Sequence, residues 1–203
     1  FPALRHGVDL SIHSLTKYVV GHSDALLGVI VARDRDVYRQ VRGFHGAMGI
    51  TVSPDDAFLG LRGLRTLSVR LRQHQEGALA VAQWLREHPL VREVLYPALP
   101  GAPGHDLWKR DFKGASGLFG LVLKPASDAA VAAMLDGMRH FGMGFSWGGF
   151  ESLILHVKPA SYRISTPVAE GDVCLRVHVG LEHPQDLIAD LDAGLSRLAT
   201  HAA

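Results

Sequence analysis

The chain has 203 residues, of which 47% are hydrophobic, and its formal net charge is +1. These values are typical of a globular protein with one large or two small domains, and they give no support for a nucleic-acid or acidic partner. No apolar run approaches the roughly 18 residues of a membrane span, and no signal peptide is recognisable. The single cysteine, Cys174, excludes an internal disulfide framework and fits a reducing compartment, so the cytoplasm is the expected location.

The first predicted strand lies very close to the start of the sequence. Val8, Leu10 and Ile12 alternate with polar residues, which predicts a strand with one buried face. The sequence begins at Phe1-Pro2 without a methionine, and no partner strand precedes this one. We therefore expect the chain to be the C-terminal part of a longer protein.

A short turn after this strand carries Ser14, Thr16 and Lys17, and residues 25–31 then predict a second buried strand. A lysine held in such a turn can form a Schiff base with a carbonyl cofactor, and neighbouring hydroxyls can hydrogen-bond a phosphate. Pyridoxal phosphate carries both groups. For an isolated lysine, a plain surface position in a loop is the commoner explanation.

Two further segments precede the middle of the chain. Residues 34–44 predict a short helix, because Val37, Val41 and Phe44 have helical spacing among charged residues. Three glycines within residues 43–49 then predict a flexible loop, which matches no nucleotide-binding motif.

Ser53-Pro54 has the features of a helix start, with a capping serine followed by proline and two acids. Apolar residues recur at helical spacing beyond it until Pro89 ends the pattern. We predict one long helix here, bent near Gly60 and Gly63.

This long helix also sets the predicted domain boundary, because helices of this length often join domains. Residues 1–63 form the first predicted domain and residues 64–203 the second, which is entered through the helix. Further strands are predicted at 91–96, 118–123, 151–157 and 173–179, and further helices begin near Ser127 and Pro184. The interleaving of strands and helices predicts an α/β fold.

The predicted strand 173–179 places Arg176 and His178 on the face opposite its apolar residues. An arginine in an otherwise apolar strand needs a partner. Its planar guanidinium matches a carboxylate in bidentate fashion, so an amino-acid substrate and a structural ion pair explain it equally well. His178 alone indicates a hydrogen-bonded structural histidine more than a catalytic one.

Ser146 and Trp147 precede two adjacent glycines, which predict a tight turn packed by aromatic residues. Other chemistries lack a signature in the sequence. There is no His-Glu-x-x-His motif and no cysteine pair, so no metal site is predicted. Neither a Gly-x-Ser-x-Gly elbow nor a Walker loop is present.

Four segments together resemble one enzyme family. They are residues 14–24, 62–67, 145–149 and 175–182. The sequence resembles, essentially from end to end, the C-terminal half of the cystathionine β-lyases, which are pyridoxal-phosphate carbon–sulfur lyases. Ser-Trp-Gly-Gly and Arg-Val-His-Val-Gly match these β-lyases better than the related γ-lyases and γ-synthases.

The resemblance implies an aspartate-aminotransferase-like (fold type I) architecture, in which the end of a large cofactor domain is followed by a small α/β C-terminal domain. It implies the cofactor pyridoxal 5'-phosphate, an amino-acid substrate and a homo-oligomer, usually a tetramer, whose active sites use two subunits. The implied site residues are Lys17 for the Schiff base, Ser14 and Thr16 for the phosphate, Arg176 for the substrate carboxylate, Ser146 as its helper and Trp147 as a pocket wall.

The implied reaction is β-elimination of L-cystathionine to homocysteine, pyruvate and ammonia in methionine biosynthesis. The family's other cofactor residues precede this segment, so the chain alone is expected to be inactive without the N-terminal half. The alternatives are a γ-lyase, a γ-synthase, a cysteine desulfhydrase, or a non-catalytic oligomerisation or binding domain.

Overall fold

The structure is a computed structural model, and it describes residues 1–161, 163 and 171–201. The chain divides into two compact units, Phe1–Ser68 and Val69–Ala203. Among the described residues, no helix has both the length and the apolar character that crossing a membrane requires.

The first unit contains a two-stranded antiparallel sheet and two helices. Its elements are a short 3-10 helix (Ala3–His6), β1 (Leu10–Ser14), β2 (Gly28–Ala32), α1 (Arg35–Ala47) and α2 (Pro54–Leu64). Side-chain caps begin both α-helices, and the one at Ser53 is predicted from the sequence. Asp34 accepts the N–H groups of Asp36 and Val37, and Ser53 accepts the N–H of Asp56.

The predicted burial of the first two strands is wrong. Ile12 of β1 is 70% exposed and Leu26 is 84% exposed, and β2 begins only at Gly28. Alternating apolar residues predict a strand, but their burial depends on a further layer of structure packed on that face. A pattern confined to one segment contains no information about that layer.

The predicted glycine loop is also wrong in part. Gly43 and Gly46 lie inside α1, and only Gly49, with φ +67°, follows the end of this helix. Glycine weakens a helix by about 1 kcal/mol per residue. The side-chain cap at Asp34 offsets part of that penalty.

The predicted long helix is interrupted. α2 ends at Leu64, and α3 (Leu67–Arg86) begins after two residues. Arg65 and Thr66 donate their N–H groups three residues back, to Arg62 O at 3.3 Å and Gly63 O at 3.2 Å. The apolar spacing continues unchanged across this tightened turn, and for that reason the sequence pattern does not reveal the break.

The second unit contains a five-stranded mixed sheet in the order β3-β4-β7-β6-β5, in which only β5 and β6 are parallel. Its elements after α3 are β3 (Val91–Leu95), α4 (His105–Asp111), β4 (Leu118–Leu123), α5 (Asp128–Asp136), β5 (Phe141–Met143), β6 (Ser152–Val157), a 3-10 helix (Pro159–Ser161), β7 (Val173–His178) and α6 (Pro184–His201). Two of these elements, α4 and β5, are not predicted from the sequence; they are the shortest α-helix and the shortest strand among the described residues of the unit.

One apolar core holds the second unit together. One face of the sheet packs with buried residues of α3, α5 and α6, and α5 lies against α6. The predicted inward face of β7 is confirmed, because Val173, Leu175 and Val177 are at most 3% exposed. The opposite face of the same strand carries Arg176 and His178.

Candidate active site

Lys17 lies in a compact turn immediately after β1. The N–H of Val20 donates to Leu15 O at 2.9 Å, and the N–H of Gly21 donates to Lys17 O at 2.8 Å. Gly21 has φ +70°, a left-handed conformation that favours glycine. The backbone on both sides of the lysine is therefore held by hydrogen bonds.

The two hydroxyls predicted to bind phosphate have different surroundings. Thr16 Oγ1 accepts the N–H of Leu27 at 2.9 Å and donates to Leu27 O at 3.1 Å. A threonine hydroxyl has one proton, so it can donate to a phosphate only if its hydrogen bond to Leu27 O breaks. Ser14 ends β1 and is exposed, and its hydroxyl has no hydrogen bond to a described residue. Of the two, Ser14 is the readier phosphate donor.

Two glycines of α2 pack against the lysine turn. A Cβ atom on Gly63 would lie 2.9 Å from both Cα and O of Val20 and closer still to Val19 O. A Cβ on Gly60, one turn earlier, would lie 3.3 Å from the side chains of Leu15 and Leu27. The sequence predicts a bend at these glycines and not this packing, although their spacing of three residues places them on one helix face.

Gly63→Ala is expected to destabilise the first unit by about 3 kcal/mol, because backbone atoms cannot yield to the added methyl group. Hydrogen exchange of residues 15–21 should accelerate accordingly. Gly43→Ala is the matched control, because an added Cβ meets no atom within 4 Å there. The control should stabilise α1 by roughly 0.5–1 kcal/mol. Equal exchange rates in the Gly63→Ala variant and the wild type would contradict this account of α2.

In the second unit, Arg176 lies beside the loop that connects β5 to β6. Its Nη2 donates to Gly144 O at 3.1 Å and to Ser146 O at 3.2 Å. Its Cζ lies 5.3 Å from the ring centroid of Trp147, within cation–π range. The structure therefore brings together the three residues that the sequence assigns to the substrate.

The surroundings of Arg176 bear on the two explanations that the sequence leaves open. Within the described residues, no carboxylate lies within 4.0 Å of its guanidinium, so a structural ion pair has no partner there. Both of its hydrogen bonds to the described part of the chain come from Nη2. Its Nε and Nη1 therefore retain N–H donors for a carboxylate.

Further anchors hold the connecting loop, residues 144–151, against the end of β7. The N–H of Leu181 donates to Phe150 O at 2.8 Å. Glu182 accepts both the N–H and the hydroxyl of Ser152, at 2.7 and 2.8 Å, and that hydroxyl accepts the N–H of Gly180. These roles of Ser152 and Glu182 are not predicted from the sequence. The one feature that could have pointed to Glu182 is its place at the end of the family-like segment 175–182.

His178 and His74 form a buried pair in the second unit. They are 1% and 0% exposed, and their ring centroids lie 5.3 Å apart. His74 Nδ1 lies 2.8 Å from Val179 O. Burial lowers the pKa of both rings, and it lowers the pKa of His178 to about 4. Both rings are therefore neutral at pH 7.

Acid is expected to weaken the second unit between pH 6.5 and pH 4. In this window the unfolded chain binds a proton at residue 178 that the folded chain does not bind, so His178 alone removes about 3 kcal/mol of unfolding free energy by pH 4. All three tryptophans lie in this unit, so their fluorescence during urea unfolding at each pH measures the loss.

His178→Gln cannot titrate, and its unfolding free energy should fall less between pH 7 and pH 4 than that of the wild type. His140→Gln, at an exposed position, is the control and should follow the wild type. An equal fall in both variants would show that His178 does not contribute to acid sensitivity.

The predicted site residues thus fall into two groups. Ser14, Thr16 and Lys17 lie in the first unit, and Ser146, Trp147 and Arg176 lie in the second. Each group occupies a loop or strand end that backbone hydrogen bonds hold in place.

Comparison with known proteins identifies the family. The sequence model of one protein family, described as "Cys/Met metabolism PLP-dependent enzyme", matches residues 1–196. The chain belongs to this family. Its members depend on pyridoxal phosphate, which confirms the predicted cofactor.

The chain is similar to cystathionine beta-lyase MetC of Escherichia coli (strain K12), with 50% identity over 202 residues. The match covers 98% of this chain and 51% of that protein. It is also similar to an L-alanine/L-glutamate racemase of Wolbachia pipientis wMel, with 43% identity over 98% of this chain and 49% of the racemase. The chain spans about half the length of the curated relatives that it matches.

A solved structure, the cystathionine gamma synthase from Xanthomonas oryzae pv. oryzae in complex with cystathionine, has 45% sequence identity and a TM-score of 0.86. The match covers 98% of this chain and 52% of the synthase. The predicted fold class, part of a fold type I pyridoxal-phosphate enzyme, is confirmed.

Proposed function

We propose that this chain forms the C-terminal half of a carbon–sulfur lyase that cleaves L-cystathionine by β-elimination. The first unit would complete the large cofactor domain, and the second unit would be the small domain that binds the substrate carboxylate. The observation that carries this proposal is the guanidinium of Arg176, which has no carboxylate partner among the described residues and whose Nε and Nη1 donate to none of them.

The residues of the lysine turn fit the cofactor. A primary amine and an exposed hydroxyl lie three residues apart, and these groups match the aldehyde and the phosphate of pyridoxal phosphate. Lys17 would hold the cofactor through Nζ, and Ser14 would donate to its phosphate. When bound, pyridoxal phosphate withdraws electrons from the α-carbon of an attached amino acid.

Three residues of the chain would act on the substrate. Arg176 would bind the α-carboxylate through a donor that its loop contacts leave unused, Nε or Nη1, and so fix the orientation of the amino acid. Trp147 lies next to the guanidinium and would keep water from it. Lys17 Nζ, once the substrate amine has displaced it, would accept the α-proton.

The departure of the sulfur completes the proposed reaction. The bond between Cβ and sulfur breaks, and the electron pair leaves with the sulfur as the thiolate of homocysteine. The remaining three-carbon fragment takes up one water and yields pyruvate and ammonia. L-cystathionine and water therefore give homocysteine, pyruvate and ammonia, with all atoms accounted for.

Product analysis of the full-length protein tests the reaction. Pyruvate from L-cystathionine is the expected result, because Ser146-Trp147-Gly148-Gly149 and the segment around Arg176 match the β-lyase pattern and the E. coli relative is a β-lyase. Release of 2-oxobutyrate would show γ-elimination instead, in keeping with the γ-synthase neighbour. Racemisation of L-alanine without any elimination would overturn the lyase proposal and agree with the Wolbachia relative.

Exposed apolar residues of the first unit support assembly with further polypeptide. Four large apolar side chains are between 60% and 84% exposed: Ile12, Leu26, Phe44 and Phe58. Exposed apolar surface of this kind is typical of a region that another polypeptide covers. We propose that the N-terminal half of the protein and neighbouring subunits of a homo-oligomer, usually a tetramer in this family, cover them. Light scattering of the full-length protein tests the oligomer. Stable, soluble monomers of the present chain alone would contradict this proposal and favour a separate binding domain.

A further inference from the structure

His178 is the buried contact between the strand that carries Arg176 and the loop of residues 144–151. Its Nε2 accepts the N–H of Gly148 at 3.0 Å, and the same nitrogen lies 3.3 Å from Gly149 O. The ring is 1% exposed and lies two residues after Arg176 on the same face of β7. It contacts the loop directly after Ser146 and Trp147.

We propose that His178 is a positioning residue, whose neutral ring holds the Gly148-Gly149 turn so that Ser146 and Trp147 stay against Arg176. This inference rests on the proposed function of Arg176 as the group that binds the substrate carboxylate. His178 itself touches neither substrate nor cofactor, so its effect is exerted through the loop.

The neutral form of the ring is the one that fits the loop. An imidazole with its proton on Nδ1 accepts the Gly148 N–H at Nε2. A protonated ring has no acceptor, so the Gly148 N–H would lose its partner and Nε2 could only donate to Gly149 O over the longer distance. Protonation therefore changes which of the two glycines the histidine binds.

The surroundings of His178 favour this neutral form. Burial has the largest effect and lowers its pKa, and His74 on α3 and Arg176 on β7 lower it further, whereas the hydrogen bond with Gly149 and the carboxylate of Glu151 raise it. The partners of His178 on β4 and β6 are Leu118 and Leu153, which do not titrate.

A displaced turn would act on Arg176 through two contacts. The guanidinium takes its orientation from Ser146 O at 3.2 Å and from the ring of Trp147. Both groups immediately precede Gly148, so a shift of the turn moves them and leaves the guanidinium free to reorient. The expected consequence is weaker substrate binding, with little change in the chemical step at Lys17.

The test uses the full-length protein with His178→Phe and His178→Gln, and with His140→Phe as an exposed control. Phenylalanine keeps a flat ring but removes the acceptor, whereas glutamine places a carbonyl oxygen near the position of Nε2. For His178→Phe we expect exchange of the 144–151 amides and KM for L-cystathionine each to rise about 10-fold, with kcat within about 3-fold, the effect of one lost buried hydrogen bond. The glutamine variant should restore both to within about 3-fold of the wild type.

Several outcomes would overturn the inference. Wild-type exchange of the loop in a folded His178→Phe protein would show that the ring does not hold it. Faster exchange with unchanged KM would show that the held loop does not serve the substrate. If His178→Phe does not fold, the pH dependence of KM provides the test: KM should rise in acid for the wild type and not for His178→Gln. An equal rise in both proteins would overturn the inference.

Failure of the underlying proposal has a different signature. If Arg176→Lys leaves KM for L-cystathionine unchanged, Arg176 does not bind the carboxylate, and the proposed function is overturned together with the substrate role of His178. If Arg176→Lys raises KM and His178→Phe does not, the role of Arg176 stands and only that of His178 is refuted.

Discussion

Replacing Lys17 by alanine is expected to abolish turnover of L-cystathionine by the full-length protein, with a loss of about 10^4-fold or more in kcat. Lys17 is proposed both to hold the cofactor and to accept the α-proton, and alanine can do neither. Lys17→Arg should fail to a similar extent, because it keeps the positive charge but cannot bond to the cofactor's carbonyl carbon.

Borohydride reduction followed by peptide mapping measures the covalent bond directly. In the wild type, the reduced pyridoxyl group should be found on the peptide that contains Lys17, and in Lys17→Ala this label should be absent. Lys124→Ala is the matched control, because Lys124 is exposed and lies just after β4 in the second unit. A label on another lysine of the wild type, or turnover by Lys17→Ala, would refute the assignment.

Arg176→Lys is expected to raise KM for L-cystathionine about 10- to 100-fold, which corresponds to one or two charge-assisted hydrogen bonds. A lysine ammonium is a point charge and cannot present directed Nε and Nη1 donors to a carboxylate. It also cannot reach Gly144 O and Ser146 O while doing so. The change in kcat should be smaller, because the chemistry occurs at the α-carbon and Cβ.

Steady-state measurements of KM and kcat for the wild type and Arg176→Lys check this expectation. Arg139→Lys, on the exposed surface of the second unit, should have wild-type kinetics. An amine substrate analogue that lacks the carboxylate provides a second comparison, since Arg176→Lys should not weaken its binding. An equal loss for both compounds would mean that Arg176 maintains the fold of the loop and does not recognise the carboxylate.

Short-range patterns in the sequence predict much of the second unit. Short apolar segments predict β4, β6 and β7, and alternation within β7 correctly separates its inward residues from Arg176 and His178. Ser53 and Ser127 are correctly predicted as the caps that precede two helices, because a capping side chain and the amides it binds are close in sequence.

Features that depend on distant parts of the chain could not be predicted in this way. The contact between His178 and Gly148 joins residues 30 positions apart, and the hydrogen bonds from Ser152 to Glu182 span the same separation. Gly63 meets Val20 across more than forty residues. The exposure of β1 and β2 likewise depends on what packs against them.

The close packing of Gly63 against the lysine turn has a consequence for protein engineering. A position where even a methyl group collides with main-chain atoms tolerates a single amino acid, so random libraries at residue 63 should return almost only the parental codon. The 144–151 loop instead contacts Arg176 through the carbonyl oxygens of Gly144 and Ser146 and through the ring of Trp147, so a changed side chain there can leave the carbonyl contacts in place. Efforts to redirect such an enzyme to new amino acids should therefore diversify the loop and leave helix α2 untouched.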